Sequence, residues 1–230
     1  MDHTLEQVAF FKDVAGLDFK ALGRRCLWRR CDAGETIIDF EDPSSDIYFV
    51  VSGEVRVLIR NPAGREMILA DLEAGEVFGE MSAIDHVPRS ANVAAMSRTE
   101  VCIMPAVVLR ELIFASPAVC ERILRLLTGR LRSMNVRIAE HSMLDTKHRL
   151  LAELLRLSAP RPGRGAERVI TPPPFHHELA ARIGCRREQV SRELSALAHD
   201  GQVEKTRGAL VLKRPPELQA RLDAAMGGEG

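Results

Sequence analysis

Seven residues in the middle of this chain, Cys120, Leu124, Leu127, Leu131, Met134, Ile138 and His141, follow one another at intervals of 4, 3, 4, 3, 4 and 3. On an α-helix that repeat keeps one stripe facing one direction, so about three heptads of it demand a long helix with a seam for a second helix. Glu121, Arg122, Arg125, Arg130, Arg132 and Arg137 flank the seam with charge. A parallel homodimer is the expected use. Ile123 and Leu126 widen the stripe, which also suits a face packed on the chain's own core.

The texture differs on either side of this helix. Residues 4–25 suggest one or two short helices anchored by Leu5, Val8, Phe11, Leu17 and Leu22. From about Trp28, short β-type runs appear at Thr36–Phe40, Ile47–Val51, Val55–Ile59, Met67–Leu72, Ala91–Ala95 and Val101–Met104. Turn signals separate them, among them Ala33-Gly34, Asp42-Pro43, Ser52-Gly53, Asn61-Pro62-Ala63-Gly64 and Ala74-Gly75. Many short strands at this spacing predict a sandwich or small barrel. From Ala106 the chain turns helical, and Leu144–Leu157 reads as a further helix. Ser158–Pro174, rich in Pro, Gly and Arg, predicts a loop with one strand at Arg168–Thr171. Two helical segments follow, at His176–Ile183 and Arg186–Ala198, then a β-hairpin wing at Gln202–Thr206 and Ala209–Lys213. Met226–Gly230 is expected to be without fixed structure. The length, 230 residues, suits two small domains. The expected segments are 1–116, 117–144 and 145–230.

No apolar run approaches membrane-spanning length, and the N-terminus lacks a basic-then-apolar leader, so a cytoplasmic protein with no membrane partner is expected. Cys26, Cys31, Cys102, Cys120 and Cys185 form no C-x-x-C pair and read as free thiols. The formal net charge is zero, but it is unevenly divided. Residues 1–145 carry 17 Lys and Arg against 22 Asp and Glu, and residues 146–230 carry 15 against 10. An acidic front and a basic back suit a ligand domain joined to a nucleic-acid domain.

Two stretches carry chemistry. The first runs from Phe78-Gly79-Glu80-Met81-Ser82 to Arg89-Ser90-Ala91, between strands. Glu80 can accept from a ribose hydroxyl, and Gly79 lets the backbone approach a sugar. Arg89 can pair with a phosphate, and Ser90 with the backbone N–H groups of Ser90 and Ala91 can complete the anion cradle. A structural ion pair between Glu80 and Arg89 in an empty roll is the bland alternative. The second stretch is Phe175–Leu197. Gly184 stands where a tight turn between two helices needs a permissive backbone. At about 100° per residue, Val190, Leu194 and Leu197 share one side of the second helix, while Arg187, Glu188, Ser191 and Arg192 share the other.

The first stretch resembles the phosphate-binding cassette of cyclic-nucleotide-binding domains. The second resembles the recognition helix of the catabolite activators, in its Gly184-Cys185-Arg186-Arg187-Glu188-Gln189-Val190-Ser191-Arg192. Ala33-Gly34-Glu35 and Ile47-Tyr48-Phe49-Val50-Val51-Ser52-Gly53 are similar to that family's early β-roll, although the loop Glu41–Asp46 lacks the usual glycines. The likeness spans about Gly16 to Lys213 and marks the chain as resembling the CRP/FNR family of transcription regulators. It implies an α+β fold: an N-terminal cyclic-nucleotide-binding β-roll (jelly-roll-like), a long coiled-coil dimerisation helix and a C-terminal winged helix-turn-helix.

The resemblance also implies roles. The ligand set is Phe78, Gly79, Glu80, Met81, Ser82, Arg89, Ser90 and Ala91, with Met134 and Asn135 at the base. Asn135 could serve adenine or guanine, so cyclic AMP is expected first and cyclic GMP next. The DNA set is Arg186, Arg187, Glu188, Gln189, Ser191 and Arg192, with Lys205 and Arg207 on the wing. Arg187 and Arg192 would read guanines and Glu188 a cytosine amine. The partners implied are double-stranded DNA, a second copy and RNA polymerase. The expected mechanism is a two-state dimer whose ligand fixes the chain near Leu144-Asp145. A same-fold regulator of another signal, or a nucleotide-binding module whose C-terminal domain contacts protein, are the rivals. No catalytic or metal-binding set is read, and no cofactor beyond the allosteric nucleotide. His176-His177-Glu178 reads as a helix start or a phosphate-facing segment rather than a metal site.

Overall fold

The computed structural model describes residues 4–61 and 63–227. The chain divides into two compact units, 1–130 and 131–230.

The first unit opens with single 3-10 turns at Leu5–Gln7 and Ala9–Phe11 and a short helix α1 at Phe19–Gly23. Leu5, Val8 and Phe11 are buried. The strands follow: β1 Leu27–Cys31, β2 Thr36–Ile38, β3 Ile47–Ser52, β4 Glu54–Arg60, β5 Glu66–Glu73 and β6 Val77–Phe78. A short helix α2, Glu80–Asp85, precedes β7 Asn92–Ala95 and β8 Thr99–Met104. Helices α3, Ala106–Ala115, and α4, Pro117–Met143, come next. The strands form two antiparallel four-stranded sheets in the orders β1-β8-β3-β6 and β2-β7-β4-β5.

Strand β3 shows why its sequence does not alternate. Side chains along a strand point alternately to opposite faces. Tyr48 and Val50 face the core between the sheets with Val55, Phe78, Val93 and Val101. Ile47 and Phe49 face a second core with Phe11, Cys102, Leu109, Val119 and Ile123. Both faces are covered, so the run is apolar throughout. The expected strands are all present with shifted ends. Strands β1 and β6 were not anticipated: Leu27-Trp28-Arg29-Arg30-Cys31 is too polar to stand out, and β6 has two residues.

The second unit contains the end of α4, then α5 Thr146–Leu157, β9 Ala159–Pro160, β10 Arg168–Ile170, α6 His176–Ile183 and α7 Arg187–His199. The wing strands β11 Val203–Lys205 and β12 Leu210–Leu212 precede α8, Pro215–Gly227. The sheet order is β11-β12-β10-β9. Leu150, Leu151, Leu154, Leu179, Val190, Leu197, Leu212 and Leu218 fill the core. Asp145 caps α5, accepting from the His148 amide at 2.9 Å, and Leu144 is buried.

The C-terminal expectation needs correcting. Met226 and Gly227 end helix α8, whose buried Leu218 and Leu222 hold it on the core. A proline at the first helical position signals such a start. Residues 228–230 lie outside the described residues, as does Pro62 of the turn at Asn61–Gly64. Among the described residues no helix is long and apolar enough to cross a membrane, and no group of three or more His, Cys, Asp or Glu could hold a metal ion. All five cysteines are free.

Candidate functional sites

The first site is built where β6 runs into α2. Gly79 makes the corner with φ of 77°. A Cβ there would lie 2.7 Å from Arg89 Nη1 and 2.9 Å from the Asp46 carbonyl oxygen, so only glycine fits. Arg89 is 3% exposed. Its Nε donates to Ser44 Oγ at 3.1 Å, Nη1 to the Gly79 carbonyl at 3.0 Å and Nη2 to the Asp46 carbonyl at 2.8 Å. The guanidinium also lies over Tyr48, 5.5 Å from the ring centroid, and Tyr48 stacks on Phe78. Burial pushes the Arg89 pKa down, against the pull of Tyr48, Asp46, Asp42 and Glu80. The backbone of Arg89 is bound as well: its amide donates to the Asp42 carbonyl, and its own carbonyl accepts from the Glu41 amide, both at 3.0 Å.

Glu80, 2% exposed, pairs with Arg130 on α4 rather than with Arg89. Arg130 also donates to the Val77 carbonyl. Ser82 and Ala91 are buried, while Met81 is exposed and its sulfur accepts from the Ser90 hydroxyl. Phe78 is inside the inter-sheet core. The structure thus brings together Phe78, Gly79, Glu80, Met81, Ser82, Arg89, Ser90 and Ala91. It adds Ser44, Asp46, Tyr48 and Arg130, which sequence reasoning did not single out. The one available signal was the unusual Glu41–Asp46 loop, which serves as the seat of Arg89. Met134 and Asn135 are exposed on α4 in the second unit.

The second site is a helix-turn-helix. Helix α6 ends on Gly184, with φ of 65°, and the Cys185 amide closes the turn on the Ala180 carbonyl at 3.1 Å. Val190, Leu194 and Leu197 bury one face of α7, leaving Arg186, Arg187, Glu188 and Arg192 exposed. Gln189 is half-buried, and its side-chain oxygen caps the helix by accepting from the Arg186 amide at 3.0 Å. Ser191 is half-buried, with Oγ 2.7 Å from His176 Nδ1. Lys205 and Arg207 are exposed at the wing.

Helix α4 resolves the two uses of its stripe. Val119 and Ile123 are buried, and Leu126 and Leu127 pack against the first unit's core. Leu124, Leu131, Met134 and Ile138 are exposed, at 57–60%. Cys120 is half-buried. His141 Nδ1 is 3.0 Å from Arg149 Nη1, and a Cβ on Gly184 would come within 3.0 Å of its ring. Its pKa is held down by burial and by Arg149.

Comparisons with known proteins agree along the chain. Residues 28–116 match the cyclic nucleotide-binding domain family and residues 148–221 the Crp-like helix-turn-helix domain family. The chain is 30% identical over 223 residues to a CRP-like cAMP-activated global transcriptional regulator of Mycobacterium tuberculosis, covering 96% of this chain and 99% of that protein. It is 36% identical over 186 residues to the cyclic AMP receptor protein of Thermus thermophilus, covering 81% and 83%. The solved structure of the Thermus thermophilus catabolite activator protein is similar, with a TM-score of 0.53 and 32% identity over 93% of this chain and 98% of that one.

Proposed function

The chain belongs to the CRP/FNR family of transcription regulators, and we propose that it is a member switched by cyclic AMP that reads palindromic DNA as a homodimer. It is a cyclic-nucleotide-responsive DNA-binding regulator and not an enzyme, and the nucleotide is an effector rather than a cofactor.

The observation that carries the ligand reading is the state of Arg89. A guanidinium has five N–H groups in a fixed plane. Three are fastened to Ser44, Gly79 and Asp46. The two that remain, one on each terminal nitrogen, are left for an anion, on a guanidinium plane fixed before any ligand arrives. Glu80 supplies an acceptor for a ribose hydroxyl, with Arg130 as its counter-charge. Asn135 is the position assigned to base choice, since its amide both donates and accepts. The names of the relatives favour cyclic AMP over cyclic GMP.

The exposed Leu124, Leu131, Met134 and Ile138 on α4 support a helix-to-helix homodimer. Two copies related by a two-fold axis would place two recognition helices on a palindrome, about one DNA turn apart. RNA polymerase is the further partner. Ligand shifts the dimer between two states only by its differential affinity for them.

Calorimetry with cyclic AMP and cyclic GMP tests the reading. Cyclic AMP should bind more tightly, and Arg89→Leu should weaken binding by on the order of 2–4 kcal/mol. That variant also strips donors from two carbonyls, so its melting curve is recorded alongside. Unchanged affinity in a folded Arg89→Leu protein would overturn the phosphate assignment.

A further inference from the structure

His176 opens helix α6, and its ring reaches the recognition helix, Nδ1 to Ser191 Oγ at 2.7 Å. Ser191 lies one helical turn beyond Arg187, about 40° round α7 from it, and is half-buried. Lys205, from the wing, and Arg187, from α7, are the charged groups that act on the ring. The pair therefore sits where α6, α7 and the wing converge, on the face assigned to DNA.

We propose that His176 is a proton-linked positioning residue for DNA reading: the His176–Ser191 pair takes up a proton when it turns from free protein to DNA. The proposal rests on the DNA-reading function given above and assigns that face a regulation by pH.

Counting hydrogens shows why. A neutral imidazole carries one N–H and the serine hydroxyl one O–H. The bond between them uses one of these two hydrogens. With the hydrogen on Nδ1 the pair keeps the serine O–H as a free donor and Nε2 as a vacant ring acceptor; with it on Nε2 the serine hydroxyl donates to Nδ1, and Nε2–H is the one free donor. A protonated ring adds a third hydrogen. The bond still uses one, so two donors remain free, Nε2–H and the serine O–H, and neither ring nitrogen can accept. DNA phosphates are acceptors only, and so are O6 and N7 of guanine. An acceptor surface meets two donors and a positive charge in the protonated pair, and only one donor in the neutral one.

The free protein is set on the neutral side. Burial, and then the charges of Lys205 and Arg187, hold the His176 pKa below the ordinary histidine value, and no carboxylate acts in the other direction. A phosphate approaching the same corner reverses both charge effects. It neutralises the two cations and attracts the imidazolium directly. The DNA-bound pKa therefore exceeds the free pKa. A group whose pKa rises on binding takes up a proton, so affinity rises as pH falls between the two values and is flat outside them.

The test is DNA affinity against pH, from 5.5 to 8.5 at constant ionic strength. It uses the full-length protein with saturating cyclic AMP and a fluorescent duplex recovered by selection from random sequence. With one His176 at each half-site, the wild-type dimer should gain up to about tenfold in affinity per pH unit for each linked histidine, so up to about a hundredfold in all, at the steepest point. His176→Gln and Ser191→Ala should both flatten that profile while keeping the wild-type melting temperature. Calorimetry at pH 7 in two buffers of different ionisation enthalpy counts the protons directly. Wild type should take up a fraction of a proton more than His176→Gln. A profile as steep in His176→Gln as in wild type overturns the proposal while leaving DNA reading intact. Failure of wild type to bind any duplex at any pH sinks the DNA reading itself, and the proposal with it.

Discussion

Ser44→Ala probes the orientation of Arg89 without touching a charge. Ser44 Oγ takes the Nε hydrogen of Arg89 at 3.1 Å, while its own amide is held by Asp42 Oδ1 at 2.7 Å. The Ser44 hydroxyl and amide hold the Asp42 carboxyl below its ordinary pKa, and the hydroxyl oxygen accepts from Arg89. Alanine keeps the loop backbone and removes that acceptor. Two of the three internal bonds survive, to the Gly79 and Asp46 carbonyls, and the guanidinium plane is free to tilt about them. A tilt that misaligns one charge-assisted bond to the phosphate forfeits up to about 1.5–3 kcal/mol, so cyclic AMP affinity should fall by up to roughly 10- to 160-fold. The melting temperature should fall by several degrees, because the Nε hydrogen of the buried Arg89 loses its partner in the free protein as well. Ser44→Thr keeps the oxygen and should restore affinity. Titration calorimetry on the three proteins is the assay. Affinity within twofold of wild type in Ser44→Ala would show that the loop does not orient Arg89.

Leu131→Lys should leave the fold intact, since Leu131 is 59% exposed in the single chain, but it buries a charge in a helix-to-helix seam. Sedimentation should show dimeric wild type and monomeric variant; a wild-type monomer at micromolar concentration with ligand would end the dimer reading. Glu188→Ala should relax preference at one base pair per half-site, a loss of discrimination of about 1–3 kcal/mol, read by selection from random duplexes. Alanine at Lys205 and Arg207 should instead weaken all sequences alike and flatten the salt dependence, as phosphate contacts do.

What was legible in the sequence was whatever a local pattern fixes. Six strands of the roll (β2, β3, β4, β5, β7 and β8), α6 to the residue, and the two-sided α7 follow from short β-type runs between turn signals and from helical spacing. Gly184 was legible because the turn between two helices requires a left-handed backbone position; Gly79 was read as a point of close approach to a sugar, and the structure shows that it also occupies such a position. The partners of the site were not. Ser44 and Asp46 precede Arg89 by more than forty positions, and Arg130 follows Glu80 by fifty. No spacing rule links residues that meet only because β3, β6 and α4 pack together. Tyr48 was hidden for a related reason: it lies in an apolar run, and only the pleat decides that it faces the inter-sheet core.

The division of α4 bears on how a ligand signal would reach DNA. The resemblance puts the point of change near Leu144-Asp145, between α4 and α5. Yet the compact units part inside α4, after Arg130, so its last turns belong to the DNA-reading unit. The physical tie is Glu153 on α5, 1% exposed. It is paired with Arg156, with Arg137 on α4 at 3.7 Å and with Arg182 on α6 at 3.5 Å. Arg156 reaches back to Glu140 on α4 at 2.5 Å. One buried carboxylate therefore joins three helices, including the first helix of the helix-turn-helix. A buried ion network is weak evidence for stability, but removing one partner strands the others, at a cost of about 3–5 kcal/mol, so the arrangement resists sliding. Leu144, buried in the same core, and Asp145, capping α5, hold the junction as well. A displacement of the last turns of α4 is then delivered to α6 and α7 as a movement of one body. Under the two-state reading proposed above, the recognition helix would not need to change its own structure for DNA affinity to respond to the nucleotide; a change in its position would suffice.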